Sequence, residues 1–191
     1  MNVKSNLKIS NLKNINRFVV PLAPDDNSLS IGACYVKQFE KYSKNISKFK
    51  CNKIQNGYLG QPSIISNRDE YIQKKFKNKQ YKIFNSSINS HAAKLLANGG
   101  IIARCIGNAE FGSRALGNRS IIAHPSAKNI KMKINEKVKN RDFWMPFAST
   151  VLEQKAKYYF KIKGNLNDYQ YMTNCVETTD LGREKLAEAI H

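Results

Sequence analysis

The sequence contains few of the residues that build metal sites and disulfide frameworks. Its 191 residues include four cysteines and three histidines. The cysteines lie far apart, with no C-x-x-C pair and no histidine at metal-ligand spacing, so a zinc site and a disulfide framework are both poorly supported. We therefore expect a reducing, cytoplasmic environment.

Long apolar runs are also lacking. The segment MNVKSNLKIS has no apolar core of the kind found in signal peptides. No stretch approaches the roughly 18 apolar residues that a membrane-spanning helix needs. The sequence thus predicts no membrane partner.

Acidic residues are scarce compared with basic ones. The chain has 14 Asp and Glu against 32 Lys and Arg, a formal net charge of +18. Such an excess favours phosphorylated ligands, nucleic acid or an anionic surface as partners. The lysines are spread along the chain, however, so solvated basic faces are the alternative interpretation. The 41% hydrophobic and 24% charged residues are typical of a folded globular protein.

Arginine is rare within this basic set. Only seven of the 32 basic residues are Arg, yet Arg104, Arg114, Arg119 and Arg141 fall within 38 positions. Arg presents a rigid fork of donors that fits phosphate and carboxylate oxygens, whereas Lys is a mobile point charge. This clustering suggests an anion site in the second half of the chain.

The hydrophobic pattern predicts strands that alternate with helices, and therefore an α/β sheet. A Gly- and Pro-containing connection at 51–66 is the predicted internal boundary, and Ser66-Asn67 and Gly99-Gly100 are predicted helix cap and stop signals. Strands are predicted at 17–23, 81–84, 101–106, 120–123, 147–152 and 169–176. Helices are predicted at 28–42, 67–77, 90–97, 127–138, 154–160 and from Gly182 onward.

The most informative segment is GNAEFGSRALGNRS at residues 107–120, which we call the Gly/Arg loop. Its three glycines can adopt positive φ and let successive backbone N–H groups point into one concavity. Asn118 and Ser120 supply short-range donors beside Arg119. Glu110 is the only acid and would either fix an arginine or meet a magnesium ion.

A second segment, KVKNRDFWMPFA at residues 137–148, is called the Lys/Arg segment. If extended, Lys139 and Arg141 would point the same way and present two cations to a phosphate. A solvated helix end is the alternative for this pair. Phe143 and Trp144 would either stack on a ligand or pack in the core.

The motifs EFGSRALGNRSIIAHP and INEKVKNRDFWMPFASTVLE resemble the C-terminal domain of the NodU/CmcH-type O-carbamoyltransferases, usually worded EFGPRALGNRSILADP and KxRxxxxPFAPxVLE. The similarity runs from about Tyr58 to the end of the chain. It implies a YrdC-like twisted mixed sheet with flanking helices over residues 57–191. It also implies that ATP, Mg²⁺ and carbamoyl phosphate are condensed into a carbamoyl-adenylate for transfer to an unknown hydroxyl acceptor.

The resemblance implies roles for nine residues. Arg114, Arg119, Lys139 and Arg141 would be catalytic, gripping phosphate and carbamoyl oxygens, and Glu110, Gly112, Gly117, Asn118 and Ser120 would bind substrate. Positioning and charge neutralisation dominate such phosphoryl chemistry. The alternative is a non-catalytic or degenerate YrdC-like module that binds nucleotide or nucleic acid through a basic concave face.

Residues 1–56 resemble the end of the family's ASKHA-like transfer domain, a strand-helix remnant in which VVPLAPDDNSLSIGAC matches P-x-x-x-D-x-G-x-x-x-G-A-A. The resemblance places Asp26 at the metal-binding Asp, but the two partner histidines have no counterpart. Fe²⁺ or another divalent metal is thus implied only in a complete transfer domain, which a separate chain could supply. The family usually continues after His191 with an H-x-D-G-T segment, so the second domain is expected to be truncated.

Overall fold

The structure is a computed structural model that describes residues 2–63 and 67–190. Its regular elements are mostly short helices with one antiparallel strand pair. The helices are α1 (Val3–Ser10), α2 (Ser28–Tyr42), α3 (Arg68–Lys75), α4 (Ile88–Ala97), α5 (Ile130–Ile134), α6 (Ala156–Tyr159) and α7 (Asp180–Lys185). The strands are β1 (Ile101–Cys105) and β2 (Arg119–Ala123). A π-turn follows α5 at Asn135–Lys139, and 3₁₀ turns lie at Ile46–Lys48, Glu153–Lys155, Leu166–Tyr169 and Ala187–Ala189.

The two helices with the clearest apolar periodicity form as predicted. Helix α2 has the predicted bounds, and α4 begins two residues before the predicted start and ends at the predicted residue. Behind α4, Gly99 has a φ of +74°, and the N–H groups of Gly99 and Gly100 donate to the carbonyl oxygens of Leu96 and Leu95. These bonds satisfy the end of the helix and redirect the chain into β1.

Strands β1 and β2 pair antiparallel, with Ile101 opposite Ala123 and Cys105 opposite Arg119. The pairing continues one step further, because the Ile106 N–H donates to the Asn118 carbonyl oxygen at 3.0 Å. The Gly/Arg loop is therefore the connection of a β-hairpin. Both strands were predicted, β2 from one residue later, and the mixed α/β class agrees with the prediction.

The predicted larger sheet does not form in the part of the chain that the structure describes. Residues 17–23, 81–84, 147–152 and 169–176 have no ladder, and only isolated bridges, Pro62 with Asn108 and Phe160 with Thr178, add to β1 and β2. An apolar run becomes a strand only where a partner edge accepts its backbone hydrogen bonds. The four strand predictions were wrong for that reason. YrdC-like topology stays a prediction.

Helix boundaries in the second half also differ from the predicted ones. The helix expected over 127–138 is split into α5 and the π-turn, and the helix expected over 154–160 begins with a 3₁₀ turn. Asn129 and Asn140, with φ of +61° and +46°, flank the first of these and break regular α geometry. Helix α3 ends two residues before the predicted Lys77, and α7 starts two residues before Gly182. The predicted cap residue Ser66 and the terminal His191 lie outside the described residues.

The hydrophobic core is small for a chain of this length. The chain exposes 14953 Å², whereas a folded monomer of its mass exposes roughly 9,000 Å². Apolar side chains of α2 are among the exposed ones, with Leu29 and Val36 exposed by 68% and 59%. Among the residues that the structure describes, the buried apolar side chains are Ala23, Ile130, Ile134, Ala156 and Leu186.

Contacts cross the predicted boundary between residues 1–56 and 57–191. The Asn6 side chain donates to the Thr173 carbonyl oxygen at 2.8 Å, and Arg17 pairs with Asp168 at 3.2 Å. The buried Ala23 lies against Gly112 of the Gly/Arg loop. The division into two domains stays a prediction, but the first segment packs against the second.

Candidate anion-binding site

The Gly/Arg loop is organised around one carboxylate. Oε1 of Glu110 accepts hydrogen bonds from the backbone N–H groups of Leu116, Asn118 and Arg119, at 2.8, 2.8 and 3.0 Å. Charge-assisted bonds of this kind are stronger than neutral ones. The carboxylate holds the backbone of its own loop and forms no ion pair with an arginine side chain of the described residues; its magnesium role stays a prediction.

These bonds set the ionisation of Glu110. Partial burial alone would raise the pKa of the carboxyl group. Hydrogen bonds from the backbone N–H groups of Arg119, Leu116, Glu110 itself and Asn118 together lower that pKa below its ordinary value. The side chain is therefore a carboxylate at neutral pH, and backbone N–H groups of the loop stabilise its negative charge.

The glycines take the conformations expected of them. Gly107, Gly112 and Gly117 have φ values of +49°, +94° and +113°. A Cβ atom on Gly112 would also lie 3.2 Å from Cβ of Ala23, which is tighter than ordinary contact. The prediction that these residues supply positive φ is confirmed, and at Gly112 both conformation and space require glycine.

Three predicted ligand-binding side chains make bonds within the loop. The Arg119 guanidinium donates to the carbonyl oxygens of Ile106, Gly107 and Asn118, at 2.6, 3.1 and 3.2 Å. These contacts use three of its five N–H groups. Asn118 Nδ2 donates to the Asn108 carbonyl oxygen, and Ser120 Oγ accepts from the Gly117 N–H, so both side chains shape the loop.

Arg114 differs from Arg119 in its surroundings. Its exposed side chain makes no hydrogen bond or ion pair with the rest of the described chain. The backbone N–H groups of residues 112–115 likewise make no hydrogen bond among the described residues. This turn is therefore the part of the loop that has donors available for a ligand.

Sequence reasoning missed the support behind the loop. Backbone bonds join Phe111 to Gly57 at 2.7 Å and Gly60 to Ala109 at 3.0 Å. The Tyr58 hydroxyl donates to the Leu116 carbonyl oxygen at 2.8 Å. The segment predicted as a connection is thus a brace for the Gly/Arg loop, and no local pattern in it signals that partner.

The Lys/Arg segment folds as a compact turn. Lys139 ends the π-turn, Asn140 has a φ of +46°, and the Arg141 N–H donates to the Asn135 carbonyl oxygen at 3.0 Å. The extended geometry that would align Lys139 with Arg141 is absent. Lys139 is exposed, while Arg141 is half-buried and lies 4.6 Å from the ring centre of Phe147.

The aromatic pair of this segment is at the surface. Phe143 and Trp144 are exposed by 63% and 60%. Of the two interpretations considered for them, core packing is excluded. Two exposed aromatic side chains therefore lie close in sequence to Arg141.

No hydrogen bond or ion pair among the described residues joins the Gly/Arg loop to the Lys/Arg segment. Residues 2–63 and 67–190 contain no group of three or more His, Cys, Asp or Glu side chains that could hold a metal ion. Asp26 lies in the turn before α2, where its carbonyl oxygen accepts from the Leu29 N–H.

Over residues 2–63 and 67–190, no helix is both long and apolar enough to cross a membrane.

Comparison with known proteins finds a matching family model and several similar proteins. A family model described as "Carbamoyltransferase C-terminus" matches residues 93–191. Nodulation protein NolNO of Sinorhizobium fredii is 38% identical over 104 residues, which cover 54% of this chain and 15% of that protein. NolO of Bradyrhizobium diazoefficiens is also 38% identical over 104 residues, covering 54% and 19%. Uncharacterized protein MJ1051 of Methanocaldococcus jannaschii is 38% identical over 156 residues, covering 79% and 28%. The chain therefore spans less than a third of the length of these relatives.

Proposed function

This chain belongs to the carbamoyltransferase family, whose C-terminal region it carries, and on that premise we propose that it binds ATP and carbamoyl phosphate and forms a carbamoyl-adenylate. The carbamoyl group would then pass to a hydroxyl acceptor. We propose that the transfer step itself requires a transfer domain of the ASKHA-like type.

The observation that carries the proposal is the state of Arg114 and its turn. Glu110 and Arg119 hold the loop from within, while Arg114 and the N–H groups of residues 112–115 have no partner among the described residues. An arginine fork beside unpaired amides suits the oxygens of a phosphate or carbamate. Preformed donors of this kind stabilise charge without reorganising when it develops.

The proposed chemistry balances in two steps. Water converts carbamoyl phosphate into carbamate and inorganic phosphate. A carbamate oxygen then attacks the α-phosphorus of ATP, and pyrophosphate leaves. Neither step needs a protein nucleophile, because positioning and neutralisation of phosphoryl charge supply most of the catalysis.

We assign the basic residues different parts in this scheme. Arg114 would grip phosphoryl or carbamoyl oxygens directly, and Arg119 would support it while offering its remaining N–H groups. Arg141, half-buried against Phe147, would provide a second fixed cation, with Lys139 as a mobile one.

Magnesium would enter as the ATP complex. Mg²⁺ keeps several waters and is commonly held by substrate phosphates with one or two carboxylates. Glu110 is the acid of the Gly/Arg loop, and its Oε1 already accepts three N–H groups. We therefore propose that ATP phosphates and water hold the ion, and not Glu110 or Asp26.

Binding is the first test, because it does not require the transfer domain. Titration calorimetry with Mg·ATP and with carbamoyl phosphate should detect both ligands. Arg114→Ala and Arg141→Ala should each weaken binding by about tenfold or more, as expected when a charge-assisted pair is lost. Arg183→Ala is the matched control, since that arginine pairs with Asp180 on α7. If neither ligand binds, or all three variants behave alike, the proposal is wrong.

Turnover is the second test. Incubation with Mg·ATP and carbamoyl phosphate should release pyrophosphate, and none should appear when carbamoyl phosphate is left out. Pyrophosphate release that does not depend on carbamoyl phosphate would contradict carbamoyl-adenylate formation.

Nucleic-acid binding is the alternative that the net charge of +18 raises. Phosphate-backbone binding falls log-linearly with salt and depends little on any single arginine. A ligand pocket should instead respond to Arg114→Ala far more than to moderate salt. Steep salt dependence combined with indifference to that substitution would favour nucleic acid.

A further inference from the structure

Asn135 is the most completely buried polar side chain near the proposed site. Its exposed fraction is 0%, although it lies in a lysine-rich segment. Burying an amide is unfavourable unless its polar atoms find partners. The contacts of Asn135 therefore show what its burial achieves.

Both ends of the amide are occupied. Oδ1 accepts from Arg141 Nε at 2.7 Å, and Nδ2 donates to the carbonyl oxygens of Phe143 and Met145, at 3.0 and 2.9 Å. The orientation follows from chemistry, because a guanidinium can only donate and a carbonyl can only accept. The backbone carbonyl oxygen of Asn135 also accepts from the Arg141 N–H. One residue thus holds Arg141 by its backbone and by its side chain.

The guanidinium of Arg141 is fixed from three directions. Asn135 holds Nε, the Pro146 carbonyl oxygen lies 3.4 Å from Nη2, and the Phe147 ring centre lies 4.6 Å from the guanidinium carbon. Nη1 makes no hydrogen bond with the described residues. The side chain is therefore ordered before a ligand arrives, with one nitrogen left for it.

We propose that Asn135 is a positioning residue that orders the Arg141 guanidinium so that Nη1 meets an oxygen of the anionic ligand. This proposal rests on the proposed function, because it concerns how the same site holds carbamoyl phosphate or ATP. Immobilising a flexible side chain on binding costs about 0.5–1.5 kcal/mol, and Asn135 removes that cost by ordering Arg141 beforehand. Loss of this order corresponds to a two- to twelvefold weakening of affinity.

The closing experiment is a double-mutant cycle between Asn135→Ala and Arg141→Lys, with the affinity for carbamoyl phosphate and for Mg·ATP as readout. Asn135→Ala alone should weaken binding by about two- to twelvefold. In the Arg141→Lys background the same change should matter less than twofold, since residues acting as one unit are not additive. Asn174→Ala is the matched control, because that partly buried amide also donates to a backbone carbonyl oxygen, that of Asp168 at 2.7 Å. Additive effects, or equal loss of affinity in the control, would overturn the proposal.

A second readout separates this proposal from the proposed function. Nitrogen-15 relaxation of Arg141 Nε in the free protein should show an ordered group that becomes mobile in Asn135→Ala. If wild type binds neither ligand, the proposed function fails, and Nε order still decides whether Asn135 holds Arg141. If Asn135→Ala does not fold, Asn135→Leu replaces it, because Leu keeps most of the buried volume and removes the acceptor for Nε together with both donors. Unchanged Nε order in a folded variant would overturn the positioning role.

Discussion

The contribution of Glu110 to stability can be worked out from its contacts. Oε1 accepts three backbone N–H groups within 3.0 Å. A hydrogen bond to a charged group contributes about 1.5–3 kcal/mol, and because this side chain is only partly buried we take about 1 kcal/mol for each. Glu110→Ala should therefore reduce the free energy of unfolding by about 2–3 kcal/mol. Glu110→Gln keeps an acceptor oxygen but loses the charge, so about 1 kcal/mol is expected.

The pH dependence of this effect has a definite sign. The pKa of Glu110 in the folded protein lies below its ordinary value of 4.5. A depressed pKa means that the ionised form favours folding, so its contribution is complete above about pH 4.5 and is lost as pH falls through the folded pKa. The difference in stability between wild type and Glu110→Gln should therefore be full at neutral pH and shrink in acid.

Urea unfolding gives the measurement, provided that two probes report one transition. Glu153→Gln is the control, since this exposed glutamate makes no side-chain hydrogen bond or ion pair with the described residues. Equal stabilities for the two Gln variants at neutral pH would refute the reasoning. If the loss of stability caused by Glu110→Gln stays constant in acid, the loop requires the shape of the glutamate side chain and not its charge.

Three further predictions concern glycine conformation, the start of α5 and the support of the Gly/Arg loop. Gly112→Ala should lower the free energy of unfolding by about 1–2 kcal/mol because residue 112 has a positive φ. Gly32→Ala, in α2 with nothing within 4 Å of its Cβ, should raise the free energy of unfolding by up to about 1 kcal/mol because alanine has the higher helix propensity. Thermal unfolding of the two variants measures both effects, and a more stable Gly112→Ala than Gly32→Ala would contradict the prediction. Glu188→Ala removes the carboxylate that accepts the N–H groups at the start of α5 and should speed amide hydrogen exchange there, while unchanged exchange would exclude a capping role. Tyr58→Phe removes the hydrogen bond to the Leu116 carbonyl oxygen and should cost about 1 kcal/mol, measured by urea unfolding; no loss would mean that water replaces the hydroxyl.

Local signals were sufficient for part of the fold. The apolar periodicity of α2 and α4, and the two glycines after α4, depend on residues within one or two turns, and these elements form where predicted. The four missing strands, among them residues 17–23 and 169–176, depend on partner edges far away in sequence. A β-branched run cannot indicate whether such an edge exists.

The candidate site shows the same division. Positive φ at Gly107, Gly112 and Gly117 follows from the glycine itself and was predictable. The three amides bound by Glu110, and the three atoms bound by the Asn135 amide, depend on how each loop closes. Asn135 looks like an ordinary residue on a lysine-rich helix, so no local pattern marks it.

Arg114 and Arg119 have the same chemistry but different surroundings. A cation becomes part of the scaffold where backbone carbonyl oxygens face it, as three do at Arg119, and it can bind a ligand where none do. The same reasoning applies to acids, since the Glu110 carboxylate accepts hydrogen bonds from amides of its own loop. The chain carries a net charge of +18. Glu110, the acid of the Gly/Arg loop, bonds to backbone amides of the loop and does not neutralise Arg114. The charge of Arg114 thus has no partner among the described residues, which is why we propose that the ligand binds at Arg114 and that Arg119 supports the loop.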